Sequence, residues 1–346
     1  MLKIGSKRVG SGQPCFIIAE AGVNHNGDIR LAKRLINAAK KAGADAVKFQ
    51  TFKAERLVTL RVPKAHYQSK AGVKESHYEM LHKLELSDSA HVLLKTYCKK
   101  IGILFLSSPF DEASADFLDR LDVPAFKIGS GEITNIPFLK HIAKKQKPII
   151  LSTGMSSMGE VREAVKTLHR AGGHPLILLH CVSNYPADPK DANLRAMRTM
   201  AKACDLLVGY SDHTMGVEVA LAAVAMGACV IEKHLTLDRT LSGPDHRASL
   251  EPEEFAALVR GIRTAESAFG HGRKEPAKSE ANTAAVARKS LVTACRIPAG
   301  TKLKNEHITI KRPGTGISPA RLISVLGRTA CKTIRAGSLI KMEMLR

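Results

Sequence analysis

The octapeptide GYSDHTMG occupies residues 209–216, and the hexapeptide IEKHLT follows at 231–236. Each grows out of an apolar run and ends among charged and polar groups. Side chains alternate along a strand, so Ser211 and His213 share one face, and Glu232 and His234 share one face of the next. Two successive buried strands that both turn polar at their C-terminal ends point to a fold in which strand ends meet.

Similar aliphatic runs occur at 16–24 (FIIAEAGVN), 46–52 (AVKFQTF), 103–110, 125–133, 148–155 and 176–184. With 207–214 and 229–236 they make eight. Segments of helical periodicity lie between them; in IRLAKRLINAAKKAG, Leu31, Leu35 and Ala38/Ala39 fall on one stripe. Eight strands alternating with helices over about 250 residues predict an α/β fold of the (β/α)8 TIM-barrel type. A doubly wound sheet would gather its polar residues at one switch point, whereas here they end nearly every strand.

Residues 53–86 are too long for an ordinary connection and read as a lid or substrate-facing loop. Past Phe269 the alternation stops. The expected organisation is a barrel over 1–270, a linker over 271–288 and a small β-rich domain over 289–346.

The chain has 346 residues, 53 basic against 32 acidic, for a net charge of +21. The basic residues are dispersed, without the aromatic interleaving or finger spacing of nucleic-acid modules, so no nucleic-acid partner is expected. No run of about 18 apolar residues occurs, so no membrane association is expected either. Seven scattered cysteines without a Cys-x-x-Cys pair fit reduced thiols and a cytoplasmic location.

If the apolar alternates face the helices, Glu20, Lys48, Gln50, Ser211, His213, Glu232 and His234 converge at the top of the barrel. His213 and His234 on neighbouring strands suit a divalent metal, Mn²⁺ or Mg²⁺, with Glu20 and Asp245 nearby. Lys48 and Lys127 interrupt apolar strands. They fit a Schiff-base nucleophile, a clamp for phosphate or carboxylate, or an internal ion pair. Hydroxyls at Ser108, Ser130, Ser152, Ser183 and Ser211 favour the clamp. Glu20 fits either a structural salt bridge or a general acid/base. Asp245 and His246 of SGPDHRAS could reach the same mouth, and Asp28 fits a helix N-cap.

The ordered motifs AEAGVNHNGD, AGADAVKFQTF, FLSSPFD, FKIGSGEITN, LSTGM, HCVSNYPA, GYSDHT, IEKHLTLD and SGPDHRAS resemble those of the sialic acid synthase family. ARKSLV, IPAGT and KRPGTGISP resemble the antifreeze-like (SAF-type) C-terminal domain of these enzymes. The resemblance implies condensation of phosphoenolpyruvate with an N-acetylmannosamine-type sugar to a nine-carbon 2-keto sugar acid, sialic or legionaminic in type. It implies metal ligation by His213 and His234 and a catalytic Glu20. Lys48, Ser108, Lys127, Ser130, Ser152, Ser183 and Ser211 become a phosphoenolpyruvate shell, with Gln50, Tyr185 and Asp245 near metal or sugar. It also implies a domain-swapped homodimer in which Arg312 of KRPG reaches the partner's sugar. Ser108 stands where the family often has threonine, and Ser183 where it often has asparagine. The alternatives are a Schiff-base barrel aldolase using Lys48 or Lys127, and a non-catalytic anionic-ligand-binding protein.

Overall fold

The computed structural model describes residues 2–60, 63 and 75–346, so the middle of the 53–86 insertion lies outside the described residues. Two compact units result, Met1–Gly270 and His271–Arg346.

In the first unit a short antiparallel hairpin, β1 (Leu2–Ile4) and β2 (Lys7–Val9), precedes the barrel. The barrel strands are β3 (Phe16–Gly22), β4 (Ala46–Thr51), β5 (Leu104–Pro109), β6 (Phe126–Ile128), β7 (Ile149–Ser152), β8 (Leu176–Cys181), β9 (Leu207–Asp212) and β10 (Val230–His234). They form one parallel sheet in the order β5-β4-β3-β10-β9-β8-β7-β6. β5 and β6 then lie side by side, without a ladder between them among the described residues. The eight predicted runs are the eight strands of this nearly closed barrel.

Alternation decides what each strand does. Ile17, Val47, Phe105, Phe126, Leu151, Leu178, Tyr210 and Ile231 point outward and pack against the helices. Phe16, Ile18, Ala46, Leu106, Ile150, Ile177, Leu179 and Val230 point inward. Leu2, Ile4 and Val9 of the hairpin join them and plug the N-terminal end of the barrel. Each fully buried aliphatic or aromatic side chain here contributes roughly 1.5–3 kcal/mol. The hairpin was not foreseen, because two three-residue strands carry too little periodicity to register.

The helix Ile29–Ala42 starts at Asp28, whose side chain accepts from the Arg30 backbone N–H, and stops at Gly43 with φ +90°. It buries Ala32, Leu35, Ile36, Ala39 and Ala42, while Leu31 and Ala38 are only half-buried. The stripe is thus rotated from the predicted one toward the small alanines, which let the helix approach the sheet. On the outer face of β9 and β10 the Lys233 ammonium donates to Asp212 Oδ2 and Thr214 O, both at 2.6 Å, fully buried. These two charges, though part of the quoted stretches, brace neighbouring strands.

The described feet of the insertion are ordered. Helices Ala54–Leu57 and His77–Leu84 flank it, and Glu85 accepts from Lys53 Nζ (2.9 Å) and the Ala54 backbone N–H (2.7 Å). In the second unit β11 (Ser290–Thr293) pairs antiparallel with β12 (Ile308–Lys311) over a core that includes Leu291, Ile297, Leu303, Val325, Ile334 and Ile340. The stretch expected as a linker is helical over Ala281–Ala287, an alanine-rich run of high helix propensity.

Candidate active site

Above the apolar filling of the barrel the inward positions become polar, two residues further along each strand. Glu20 follows Ile18, Lys48 follows Ala46, Ser108 follows Leu106, Ser152 follows Ile150, Cys181 follows Leu179 and Glu232 follows Val230. The result is a cavity of about 330 Å³ at the C-terminal mouth. Glu20, Lys48, Gln50, Lys127, Ser130 and Ser152 line it from β3–β7, and Ser183, Tyr185, Ser211, His213, Glu232 and His234 from β8–β10. Phe110, Gly129, Gly131, Met155 and Cys181 complete the wall.

The charges form one connected group. Lys48 Nζ lies 2.7 Å from Glu20 Oε2 and 3.8 Å from Glu232 Oε2. Lys127 Nζ lies 3.3 Å from Glu232 Oε1 and donates to Ser152 Oγ at 2.7 Å. Ser211 donates to Glu232 Oε1 at 2.9 Å, and Gln50 Nε2 reaches Glu20 Oε1 at 3.4 Å. Ser108 sits behind Lys48, whose ammonium donates to it at 3.1 Å. Both lysines and both glutamates are buried. Glu232 stands between two ammonium groups that are distant from it in the sequence, so its role is set by the fold and not by its neighbours along the chain.

Environment separates the two carboxylates. Burial raises the Glu20 carboxyl to about 7, against the opposing pull of Lys48. Burial also acts upward on Glu232, but Lys127, Lys48 and the Ser211 hydroxyl outweigh it and hold that group low. Burial lowers Lys48 too, yet Glu20 and Glu232 prevail and raise it, whereas for Lys127 burial wins and the ammonium is weakened. Two carboxylates pushed apart in this way are the arrangement of a fixed counter-ion beside a group able to exchange protons near neutrality.

A second cluster adjoins the first. The rings of His213 and His234 have centroids 5.6 Å apart, and Tyr185 lies 4.1 Å from the first and 5.5 Å from the second. His213 donates Nδ1–H to Val182 O at 2.6 Å. Its Nε2, 3.4 Å from Ser211, faces a hydroxyl whose proton goes to Glu232. Burial lowers both histidines, so both rings are neutral. The buried Nδ1 of His234 has no hydrogen-bond partner; Asp245 Oδ2 is 3.8 Å away. Two neutral imidazoles with unspent lone pairs are the donors a divalent cation takes. Among the described residues no three His, Cys, Asp or Glu side chains already form a metal cage. His246 does not join the cluster. It bonds Thr236 Oγ1 (2.7 Å) and Asn26 Oδ1 (3.3 Å) and belongs to the loop framework.

On the opposite wall Ser130 Oγ accepts from the Gly154 N–H at 2.9 Å and lies 3.2 Å from Cys181 Sγ. A Cβ at Gly154 would collide with Ser183 Oγ and crowd Ser130 and Cys181. Glycine is therefore what allows these three side chains to converge. Arg312 is exposed and belongs to the second unit.

An eight-stranded parallel barrel with its ionisable groups gathered at the C-terminal mouth defines the class: an α/β-barrel enzyme. Residues 35–274 match the NeuB family, and residues 288–346 match the SAF domain. The N,N'-diacetyllegionaminic acid synthase of Legionella pneumophila is 50% identical over 98% of this chain and 97% of its own. The N-acetylneuraminate-9-phosphate synthase of Mus musculus is 40% identical over 97% and 94%. Among solved structures, the N-acetylneuraminic acid synthetase of Leptospira borgpetersenii in complex with citrate is 39% identical with a TM-score of 0.72, covering 82% of this chain and 94% of that one. The chain belongs to the NeuB family of sialic acid-type synthases and carries a C-terminal SAF domain.

Proposed function

We propose that the protein condenses phosphoenolpyruvate with an N-acylated mannosamine-type sugar and water, releasing phosphate and a nine-carbon 2-keto sugar acid. The observation that carries this reading is the pair of buried ammonium groups, Lys48 and Lys127, sharing Glu232 inside a hydroxyl-lined cavity. That arrangement receives a dianion well. A legionaminic-type product, from a 2,4-diacetamido-6-deoxy sugar, is favoured by the 50% identity to two N,N'-diacetyllegionaminic acid synthases.

In this reading Lys48, Lys127 and the hydroxyls of Ser130, Ser152, Ser183 and Ser211 hold the phosphate and carboxylate, and Ser108, behind Lys48, holds that ammonium in place. The C2=C3 π pair of phosphoenolpyruvate forms a bond from C3 to the sugar's aldehyde carbon. The carbonyl π pair moves to its oxygen, which is protonated to a hydroxyl, and C2 becomes electron-poor. Water adds at C2 as Glu20 takes its proton, a role suited to a carboxyl with a pKa of about 7. The C2–O bond to phosphate then breaks and the ketone forms. His213 and His234 would hold a divalent cation, Mn²⁺ or Mg²⁺, which supplies Lewis-acid polarisation of the aldehyde oxygen. Gln50, Tyr185 and Asp245 orient the sugar. A domain-swapped homodimer would bring the partner subunit's Arg312 to it, and light scattering with an Arg312→Ala variant tests that part.

The deciding experiment measures phosphate release from phosphoenolpyruvate, with and without EDTA, across N-acetylmannosamine and its 2,4-diacetamido-6-deoxy analogues. Release that needs both sugar and metal, and is fastest with a diacetamido sugar, is the expected result. No release with any sugar overturns the reading. Burial weakens the Lys127 ammonium, which is the one observation favouring a Schiff-base aldolase. Covalent trapping by borohydride in the presence of EDTA would establish that alternative.

A further inference from the structure

Behind the cavity, on the outer face of the barrel wall, three buried side chains make one chain of hydrogen bonds. Ser107 Oγ lies 2.7 Å from Thr51 Oγ1, and Thr51 Oγ1 lies 2.9 Å from His91 Nε2. His91 Nδ1 lies 3.0 Å from the Ser87 carbonyl. Burial lowers His91, so its ring is neutral and carries one proton. A carbonyl only accepts, so that proton sits on Nδ1. Nε2 must then accept from the Thr51 hydroxyl, which in turn accepts from Ser107. The Gln50 carbonyl, 3.4 Å from Nε2, is the longer of its two neighbours.

The chain of bonds stands directly behind the functional side chains. Thr51 follows Gln50 and Ser107 precedes Ser108, and consecutive strand residues face opposite sides. The ladder pairs Phe49 with Ser107 and Gln50 with Ser108. β5 needs this support, because among the described residues its only ladder is to β4. The far end is anchored too. Ser87 caps the helix Asp88–Ile101, two residues after Glu85, which ties the two feet of the insertion together. None of these three side chains lines the cavity.

We propose that His91 is a positioning residue: through Thr51 and Ser107 it fixes the tips of β4 and β5, and so the placement of Lys48, held by Ser108, toward phosphoenolpyruvate and of Gln50 toward the sugar. The inference rests on the function proposed above. A misplacement of about 1 Å at such a site can lower activity by as much as a hundredfold.

The test compares Thr51→Val, which keeps the shape and removes the hydroxyl, with His91→Phe and the double variant. Phosphoenolpyruvate binding is measured by calorimetry, turnover by phosphate release, and stability by thermal melting. Each single variant should weaken phosphoenolpyruvate binding and raise its KM roughly tenfold, with a smaller rise in the sugar's KM, while kcat stays within roughly twofold. The double variant should be no worse than the weaker single one, because both break one chain. Lower melting temperatures with unchanged phosphoenolpyruvate affinity would reduce His91 to a packing role and overturn the proposal, as would additive losses. Should His91→Phe not fold, the near-isosteric Thr51→Val decides alone. Wild-type protein that binds phosphoenolpyruvate but turns over no sugar would refute the proposed reaction, leaving the binding ratios to judge His91. Wild-type protein that binds none would refute both.

Discussion

The two halves of the barrel interior are built from the same strands, two residues apart, and obey opposite rules. The lower half is Phe16, Ile18, Ala46, Leu106, Ile150, Ile177, Leu179 and Val230, closed off by the hairpin. The upper half is Glu20, Lys48, Ser108, Lys127, Ser152, Ser211 and Glu232, almost as deeply buried but each held in an ion pair or a hydroxyl contact. Burying charge is expensive unless partners are supplied, and replacing such groups by apolar ones is often stabilising. The lower half therefore holds the barrel together, and the upper half is tolerated for its chemistry.

Substitutions can break that division. The largest effect should come from Lys127→Ala, which removes one of the two ammonium groups proposed to hold the phosphate. Turnover in the phosphate-release assay should fall by about a thousandfold or more, an effect of roughly 4 kcal/mol on the barrier, with the fold retained by circular dichroism. Below the boundary, Ile150→Ala should do the reverse. Urea unfolding should show a loss of about 2–5 kcal/mol, while the activity of the folded fraction stays close to wild type. Equal activity losses for these two variants would erase the distinction.

A finer probe is pH. In the proposed reaction Glu20 must be ionised to accept a proton, so kcat/KM should fall about tenfold per pH unit below its pKa of about 7. The effect on stability has the opposite sign. A carboxyl raised from 4.5 to about 7 in the folded state favours folding most at low pH, and that contribution fades as pH rises through this window. A Glu20→Gln variant should lose the acid limb of the rate profile. The smallest change should be Ser152→Ala, which takes one hydroxyl from Lys127. A roughly tenfold rise in the KM for phosphoenolpyruvate with little change in melting temperature is expected, in line with the worth of one charge-assisted hydrogen bond.

Much of this was legible in the sequence because a parallel barrel converts period-two alternation directly into inside and outside. Eight runs became eight strands, and the polar residues at their ends came together at one mouth. The limits were equally physical. Alternation leaves Asp212 and Lys233 on the opposite face from Ser211, His213, Glu232 and His234, but only the fold shows that they pair with each other and brace β9 to β10. His246 read as a candidate for the mouth and turned out to bond Thr236 and Asn26. Glu232 was underrated because nothing along the chain reveals that two distant lysines share it. Cys181 and Gly154 gave no local signal either. The glycine matters only because side chains from two other strands crowd the space its Cβ would fill.

The shared carboxylate has a consequence for how the enzyme cycles. Lys48 and Lys127 do not stand as bare cations: Glu232 lies beside both, at 3.8 and 3.3 Å, and Glu20 pairs with Lys48 at 2.7 Å. In the proposed function, an incoming phosphate meets two ammonium groups whose charge is already partly offset by neighbouring carboxylates. Such partial neutralisation would moderate the grip on both the arriving ligand and the departing inorganic phosphate, as suits a catalyst that discharges an ion at every turnover.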